Sequence, residues 1–441
     1  MGDATDNEGP LSGVGVLDCT QMLAGPYTTQ LLADLGAEVL KIERPEVGDL
    51  TRSIEPELGD SGMTSYFASL NRGKRSVELD LSSEDGAATF LALVESADVV
   101  VENYRPGTMT DWGLDYGTLA EYNPEVIYCS ISGFLPGPYR DLAAFDMVAQ
   151  ALGGTMSITG ESDGPPVRSG LPIGDLSASM YAAVCILTAL FARPQQGGTH
   201  IEVPLFESLV AFLSERAGWS FATGEAYPRL GTAHPTLEPY RVVATADDPL
   251  ALAVASDGTY EELCAAIDRS DLATDERFST NSARIEHREA LTAELEAVFA
   301  ERGAEEWFSV LREEGVPAAP VKDTREAFAD PQLRESGVTS DLEIGGIDLP
   351  LVTFPAQFSN AATGTDRQPP ELGEHTEDVL EGLTPHFGGE KRRGQGGRID
   401  ERPIGGRRSE CFDSGVESYD RCDTTELGDE NRNEADRRHA R

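Results

Sequence analysis

Asp175 is the residue whose setting most suggests chemistry; it lies in Leu171-Pro172-Ile173-Gly174-Asp175-Leu176-Ser177-Ala178-Ser179-Met180. It stands immediately before a long apolar stretch, Leu176–Arg193, that reads as a helix. An aspartate there caps the helix by accepting hydrogen bonds from the first free N–H groups. The same place keeps a carboxylate ionised, because a helix N-terminus favours negative charge. An ionised carboxylate can attack an activated acyl group. Cap and nucleophile are compatible readings, and both stay open. Gly174 leaves room for a substrate, and Ser177 and Ser179 are small. Lys74 and Arg75 form a cationic pair where cations are scarce, which suits either a phosphate ligand or a solvated loop.

Two generic motifs fail on context. Gly13-x-Gly15 lacks a third glycine and precedes its strand, so a dinucleotide fingerprint is rejected. Gly160-Glu161-Ser162-Asp163-Gly164 has the G-x-S-x-G form, but Pro165-Pro166 follows where a nucleophile elbow needs a helix. It reads as a turn.

The elements that must position Asp175 alternate. Strands are predicted at 14–18, 38–43, 76–81, 98–102, 126–132 and 200–203, and helices at 24–35, 82–96, 114–122, 145–152 and 176–193. Such β-α alternation predicts an α/β fold, a large Rossmann-like domain with a mostly parallel sheet. Asn103 ends a strand at the carboxyl edge, where such sheets bind ligands, unless it is simply a turn residue. After about 225 the texture changes to short strands at 240–245 and 250–255 and helices at 260–267, 284–301 and 304–314. The expected division is a large α/β domain at 1–225, a small α+β domain at 226–335, a return to the large domain at 336–387 with a helix at 374–383, and a charged, disordered tail at 388–441.

The chain has 441 residues, 35 Lys+Arg against 77 Asp+Glu, and net charge −42. Residues 390–441 hold 12 basic and 13 acidic residues, so nearly all the excess lies in the body. A polyanion argues against nucleic acid or an anionic membrane as partner. With only four lysines, the composition resembles that of a salt-in halophile. No apolar run reaches the roughly 18 residues of a membrane span. The N-terminus shows no secretory signal, so a cytoplasmic location is expected. The six cysteines form no C-x-x-C pair, so neither a metal site nor a disulfide framework is expected.

Seven blocks in order then resemble the class III CoA-transferases, the CaiB/BaiF family, over about residues 13–385. They are Val16-Leu17-Asp18 with Leu23-Ala24-Gly25-Pro26; Leu32–Glu43 with Gly48-Asp49; Asn71–Ser76; Ala97–Asn103 with Arg105-Pro106-Gly107; Val148-Ala149-Gln150-Ala151; Gly174-Asp175; and Gly373-Glu374-His375-Thr376. The resemblance implies Asp175 as nucleophile, acting through an aspartyl anhydride and an aspartyl-CoA thioester. It implies CoA contacts at Leu23, Ala24, Arg44, Asn71, Lys74, Arg75 and Asn103, no cofactor beyond coenzyme A as co-substrate, and an interlocked homodimer. It also implies acyl-CoA and carboxylate substrates, with succinyl-CoA as donor and mesaconate or a related C4–C5 dicarboxylate as acceptor. Asp111 and Ala143 stand where formyl-type members carry basic residues, and Arg140 is a candidate substitute. Gly231-Thr232-Ala233-His234-Pro235 replaces the glycine-rich loop of formyl-type members. The acyl pocket is expected to draw on Arg140, Gln150 and His234, the last of which reads equally as a turn residue. Two rival activities are an acyl-CoA racemase (epimerase) and a non-catalytic CoA-binding protein. The racemase needs a second acid/base at the start of the 145–152 helix, where Phe145 cannot move a proton.

Overall fold

Six short β-rich segments pair in parallel to form the central sheet: β1 (Gly15–Cys19), β2 (Glu38–Glu43), β3 (Arg75–Glu78), β4 (Val99–Glu102), β5 (Ile127–Ser132) and β6 (Thr199–Pro204). The computed structural model describes residues 9–382; the expected 388–441 tail lies outside them. Strand order is β3-β2-β1-β4-β5-β6. This is a doubly wound sheet whose direction of winding reverses between β1 and β4.

Alternate side chains of each strand enter opposite cores. Val16, Val39, Val99, Val101, Ile127 and Val203 face the helices Ala24–Asp34 and Ile173–Gln196. Leu17, Leu40, Val77, Val100 and Tyr128 face the Glu84–Val94 helix and its neighbours. Burial on both faces explains why β4 reads as an unbroken Val-Val-Val run.

The Ile173–Gln196 helix is the one described helix long and apolar enough to cross a membrane. The expectation of no such segment, which considered uninterrupted runs alone, is corrected here. In this fold the helix lies on the sheet, with Ala178, Ala182 and Ile186 fully buried.

A second, three-stranded antiparallel sheet combines β7 (Tyr240–Val243), β8 (Leu250–Ala253) and β9 (Ala318–Pro320) around a core of its own. The helix expected over 284–301 breaks at His287 into Asn281–Glu286 and Arg288–Phe299. Arg284 turns inward instead: it donates to the carbonyls of Glu238 (2.6 Å) and Phe278 (3.0 Å) and lies over the Tyr260 ring. The chain then returns. The hairpin β10 (Thr339–Ile344) and β11 (Ile347–Val352) packs on Leu58, Met63 and Phe67. His375 N–H donates to the Ser76 carbonyl at 2.9 Å, and Gly364 N–H to that of Asp34 at 2.7 Å.

Candidate active site

The crevice at the winding reversal is closed by a side-chain clamp. Asn103, just past β4, accepts from Gln21 N–H (2.9 Å) and donates to the Gln21 carbonyl (2.7 Å), just past β1. Asn103 therefore shapes this loop through its own side chain. Met22 follows at φ 69°, and its N–H donates to Asp49 Oδ1 at 3.1 Å.

Below the loop lies a buried charge network. Lys74 Nζ donates to Asp18 Oδ2 (3.0 Å), Pro26 O (2.9 Å), Thr29 Oγ1 (2.8 Å) and Asn71 Oδ1 (2.9 Å). Lys41 Nζ pairs with Asp49 Oδ2 at 3.0 Å and donates to Thr20 O at 2.8 Å. Burial alone would raise the Asp18 carboxyl; Lys41 and Lys74 overturn that and hold it well below the usual carboxylate range. Burial in turn pushes Lys74 down to about 8, against the pull of Asp18. Asn71 and Lys74, expected as CoA contacts, turn their side chains into this network. Both side chains are enclosed and committed to the fold, with no donor of the ammonium left for a phosphate.

Asp175 is the third residue of the Ile173–Gln196 helix and not its cap. The cap position holds Pro172, which offers no side-chain acceptor. Asp146, the first residue of the Asp146–Leu152 helix, fills that role from outside, accepting from Gly174 N–H through Oδ1 at 2.9 Å. Gly174 serves this close approach: a Cβ there would sit 3.1 Å from Asp146 Oδ1 and 3.2 Å from Ala149 Cβ. Ser179 Oγ donates to the carbonyls of Ala24 and Asp175, both at 2.8 Å, tying the helix to the start of Ala24–Asp34.

Released from capping, the half-buried Asp175 carboxylate has no hydrogen-bond partner among the described residues. Burial first, then the Asp146 carboxylate, push its carboxyl up to about 7. The expected low value is corrected: burial and a like charge outweigh the helix terminus. Tyr66, on the Ser65–Asn71 helix, faces the same carboxylates. Its phenol is pushed up to about 12 by burial, then by Asp175, Asp49 and Asp146.

A pH dependence follows with a definite sign. The folded Asp175 carboxyl keeps its proton up to about 7, whereas an unfolded aspartate releases it near pH 4. Ionisation therefore costs stability as pH rises through that window, while a nucleophilic carboxylate gains activity. Initial rates of acyl-CoA consumption should fall about tenfold per unit below pH 7. Asp146→Asn keeps an acceptor for Gly174 and removes the like charge, so this acid limb should move to lower pH. A limb that stays in place would exclude Asp146 as its cause.

The remaining expected residues are dispersed. Leu23 precedes the Ala24–Asp34 helix, and Ala24 is buried, its carbonyl taken by Ser179 and Thr28. Arg75 begins β3 near His375, whose imidazole pKa is lowered by burial first and by the Arg75 charge to a lesser degree, against the pull of Glu374. Exposed Arg44 lines a cavity of about 270 Å³ with Gln21, Leu79, Ser82, Tyr104 and Trp112. Its wall is thus the segment just after β3 and not Asn71–Arg75. Arg140 is committed elsewhere, to Glu202 and to the Phe134 carbonyl (2.9 Å), in a different cavity with Glu102 and His200. That cavity is also lined by Arg105, Pro106, Gly107 and Thr110, the turn that leads to Asp111. Gln150 is fully buried and braces the site: its Nε2 donates to Asp146 Oδ2 (2.8 Å), and its Oε1 accepts from Ser169 N–H (2.9 Å). His234 accepts from Thr236 N–H (3.2 Å) and packs on Tyr240, the turn role.

Asp146 and Tyr66 are the site residues the sequence reading missed. At this helix entry, Ala144-Phe145-Asp146, the reading weighed Phe145, which is 67% exposed, and gave the adjoining Asp146 no role. No local pattern marks Tyr66.

Fold and site together define a doubly wound α/β protein with a half-buried carboxylate, Asp175, at the start of a helix packed on the sheet. The chain belongs to CoA-transferase family III, which matches residues 11–376. It is 38% identical over 388 residues to a succinate–glutarate CoA-transferase of Agrobacterium fabrum, spanning 86% of this chain and 97% of that protein. It is 41% identical over 387 residues to a succinyl-CoA:mesaconate CoA-transferase of Haloarcula hispanica, spanning 85% and 96%. Among solved structures it resembles a CAIB/BAIF family protein from Brucella suis, with TM-score 0.79 and 38% identity over 85% of this chain and 100% of that one. The protein is therefore a CoA-transferase acting on acyl-CoA and carboxylate substrates, and the non-catalytic reading is set aside.

Proposed function

We propose that Asp175 carries CoA between acids through two covalent states, with succinyl-CoA as donor and a C4–C5 dicarboxylate such as mesaconate as acceptor. The observation that carries this is the half-buried Asp175 carboxylate at the start of its helix, without a hydrogen-bond partner among the described residues. The carboxylate attacks the donor thioester, forming an acyl–aspartyl anhydride and expelling CoA thiolate. The thiolate attacks the aspartyl carbonyl, releasing the donor acid and leaving an aspartyl-CoA thioester. The acceptor carboxylate displaces the thiolate to form a second anhydride. The thiolate then attacks the acceptor's carbonyl, giving the new acyl-CoA and restoring Asp175. Each thioester broken is matched by one formed, so no cofactor besides coenzyme A is called for. The crevice beside Arg44 is the proposed seat of the nucleotide.

Named activities of the relatives support the dicarboxylate choice. The test is incubation with succinyl-CoA and a panel of mono- and dicarboxylates, read by mass spectrometry of the new CoA esters. Absence of any C4–C5 dicarboxyl-CoA product would refute the substrate assignment.

The reading includes a homodimer. Met180, Val184 and Phe191 of the Ile173–Gln196 helix, with Phe212 and Phe221 nearby in sequence, are exposed large apolar residues; Phe191 is 86% and Phe221 88% accessible in the single chain. A partner chain would cover such a face. It also includes salt adaptation: at about 0.01 M salt the Debye length is roughly 30 Å, so carboxylate repulsion acts across the whole body. Dialysis from molar to millimolar KCl should lower the melting temperature, and an unchanged temperature would exclude adaptation to salt.

A further inference from the structure

Moving a dicarboxylate places two anions beside Asp146 and Asp175 in a chain of net charge −42. One carboxyl group reacts; the other is a spectator that needs a cation. Most of the nearby cations are spent. Lys41 and Lys74 are locked to Asp18 and Asp49, Arg52 to Glu43, and Arg229 to the carbonyls of Ser157, Glu161 and Gly164.

Arg168 differs. It stands on the loop leading into the Asp175 helix, and its side chain is 43% exposed. Its one ion-pair partner among the described residues is Asp146 Oδ2, at 3.5 Å, beyond good hydrogen-bond length. That oxygen already accepts from Gln150 Nε2. Gln150 also takes the N–H of Ser169, the residue after Arg168, and so holds the base of the arginine in place. Asp146 Oδ1, in turn, receives the N–H of Gly174, next to the nucleophile. A planar guanidinium whose donors have no other partner among the described residues thus stands one carboxylate away from the Gly174 N–H, next to Asp175, and that fork matches a carboxylate with two parallel hydrogen bonds.

We infer that Arg168 binds the spectator carboxylate of the acyl group and thereby selects dicarboxylates. This rests on the reading of Asp175 as the acyl-accepting residue. One cation serves both halves of the reaction, because succinyl-CoA and a free dicarboxylate present the same distal group. Gln150 is a positioning residue for it.

The experiment is calorimetric binding of succinyl-CoA and butyryl-CoA, which share chain length and differ in the terminal carboxylate, to the full-length protein without acceptor. Wild type should bind succinyl-CoA more tightly. Arg168→Gln should weaken succinyl-CoA binding about 10- to 100-fold and leave butyryl-CoA within about threefold. Arg168→Lys should recover part of the difference, because it keeps the charge without the fork. The exposed side chain predicts an unchanged melting temperature. An Arg168→Gln protein that keeps the full succinyl preference, weakens equally toward both esters, or descends from a wild type with no preference would overturn the inference. A failure of Asp175 as nucleophile would show separately, as absent covalent trapping with the binding preference intact.

Discussion

Asp175→Asn is expected to lower CoA transfer by about 10⁴-fold or more, while leaving the fold close to wild type. The amide is nearly the same size, and the carboxylate it replaces makes no side-chain hydrogen bond among the described residues. The helix start keeps its external acceptor, Asp146. An amide cannot form the anhydride, so both half-reactions stop together. Steady-state transfer rates and a thermal melt, compared with wild type, decide the matter. The same variant separates the rival chemistry: a racemase exchanges the α-proton of its substrate with deuterated solvent without moving CoA between acids. Near-normal transfer by Asp175→Asn would move the nucleophile elsewhere.

The second large effect falls on stability. Lys74→Met leaves the fully buried Asp18 with Lys41 as its remaining cation, 3.9 Å away, and strips Asn71 and Thr29 of a donor. Removing one partner from such a buried pair costs about 3–5 kcal/mol, a large share of the roughly 5–15 kcal/mol that holds a domain together. Urea unfolding should show the midpoint falling accordingly. If Lys74 instead bound a CoA phosphate, the variant would raise KM for acyl-CoA and leave the midpoint unchanged. That outcome would restore the phosphate-binding reading.

What was legible in the sequence follows from how local each signal is. The strands around Val16, Val39 and Val99 announce themselves as apolar runs, and β2 falls at the residues the pattern marks, 38–43. The helix after Asp175 is equally plain, though it begins at Ile173 and thereby turns a cap into an interior residue. Helices Leu205–Phe212 and Ser214–Thr223 were missed, the latter because it has no buried face in the single chain. Side-chain partnerships were the least legible part. Lys74 meets Asp18 across 56 residues, and no periodicity connects them. Scarcity of cations suggested a ligand role, yet the same scarcity leaves a buried aspartate dependent on the few lysines present. Asp146 reaches Gly174 across 28 residues, so the charge that raises Asp175 became visible only in three dimensions.

The central claim is that the Asp175 carboxylate becomes acylated and then bears CoA. It is tested most directly by incubating the protein with succinyl-CoA, quenching with hydroxylamine, and mapping the digested chain by mass spectrometry. The account predicts a hydroxamate on the peptide containing Asp175, dependent on acyl-CoA and absent from Asp175→Asn. An unmodified Asp175 peptide from enzyme that is turning over, or a modified residue elsewhere in the chain, would contradict it.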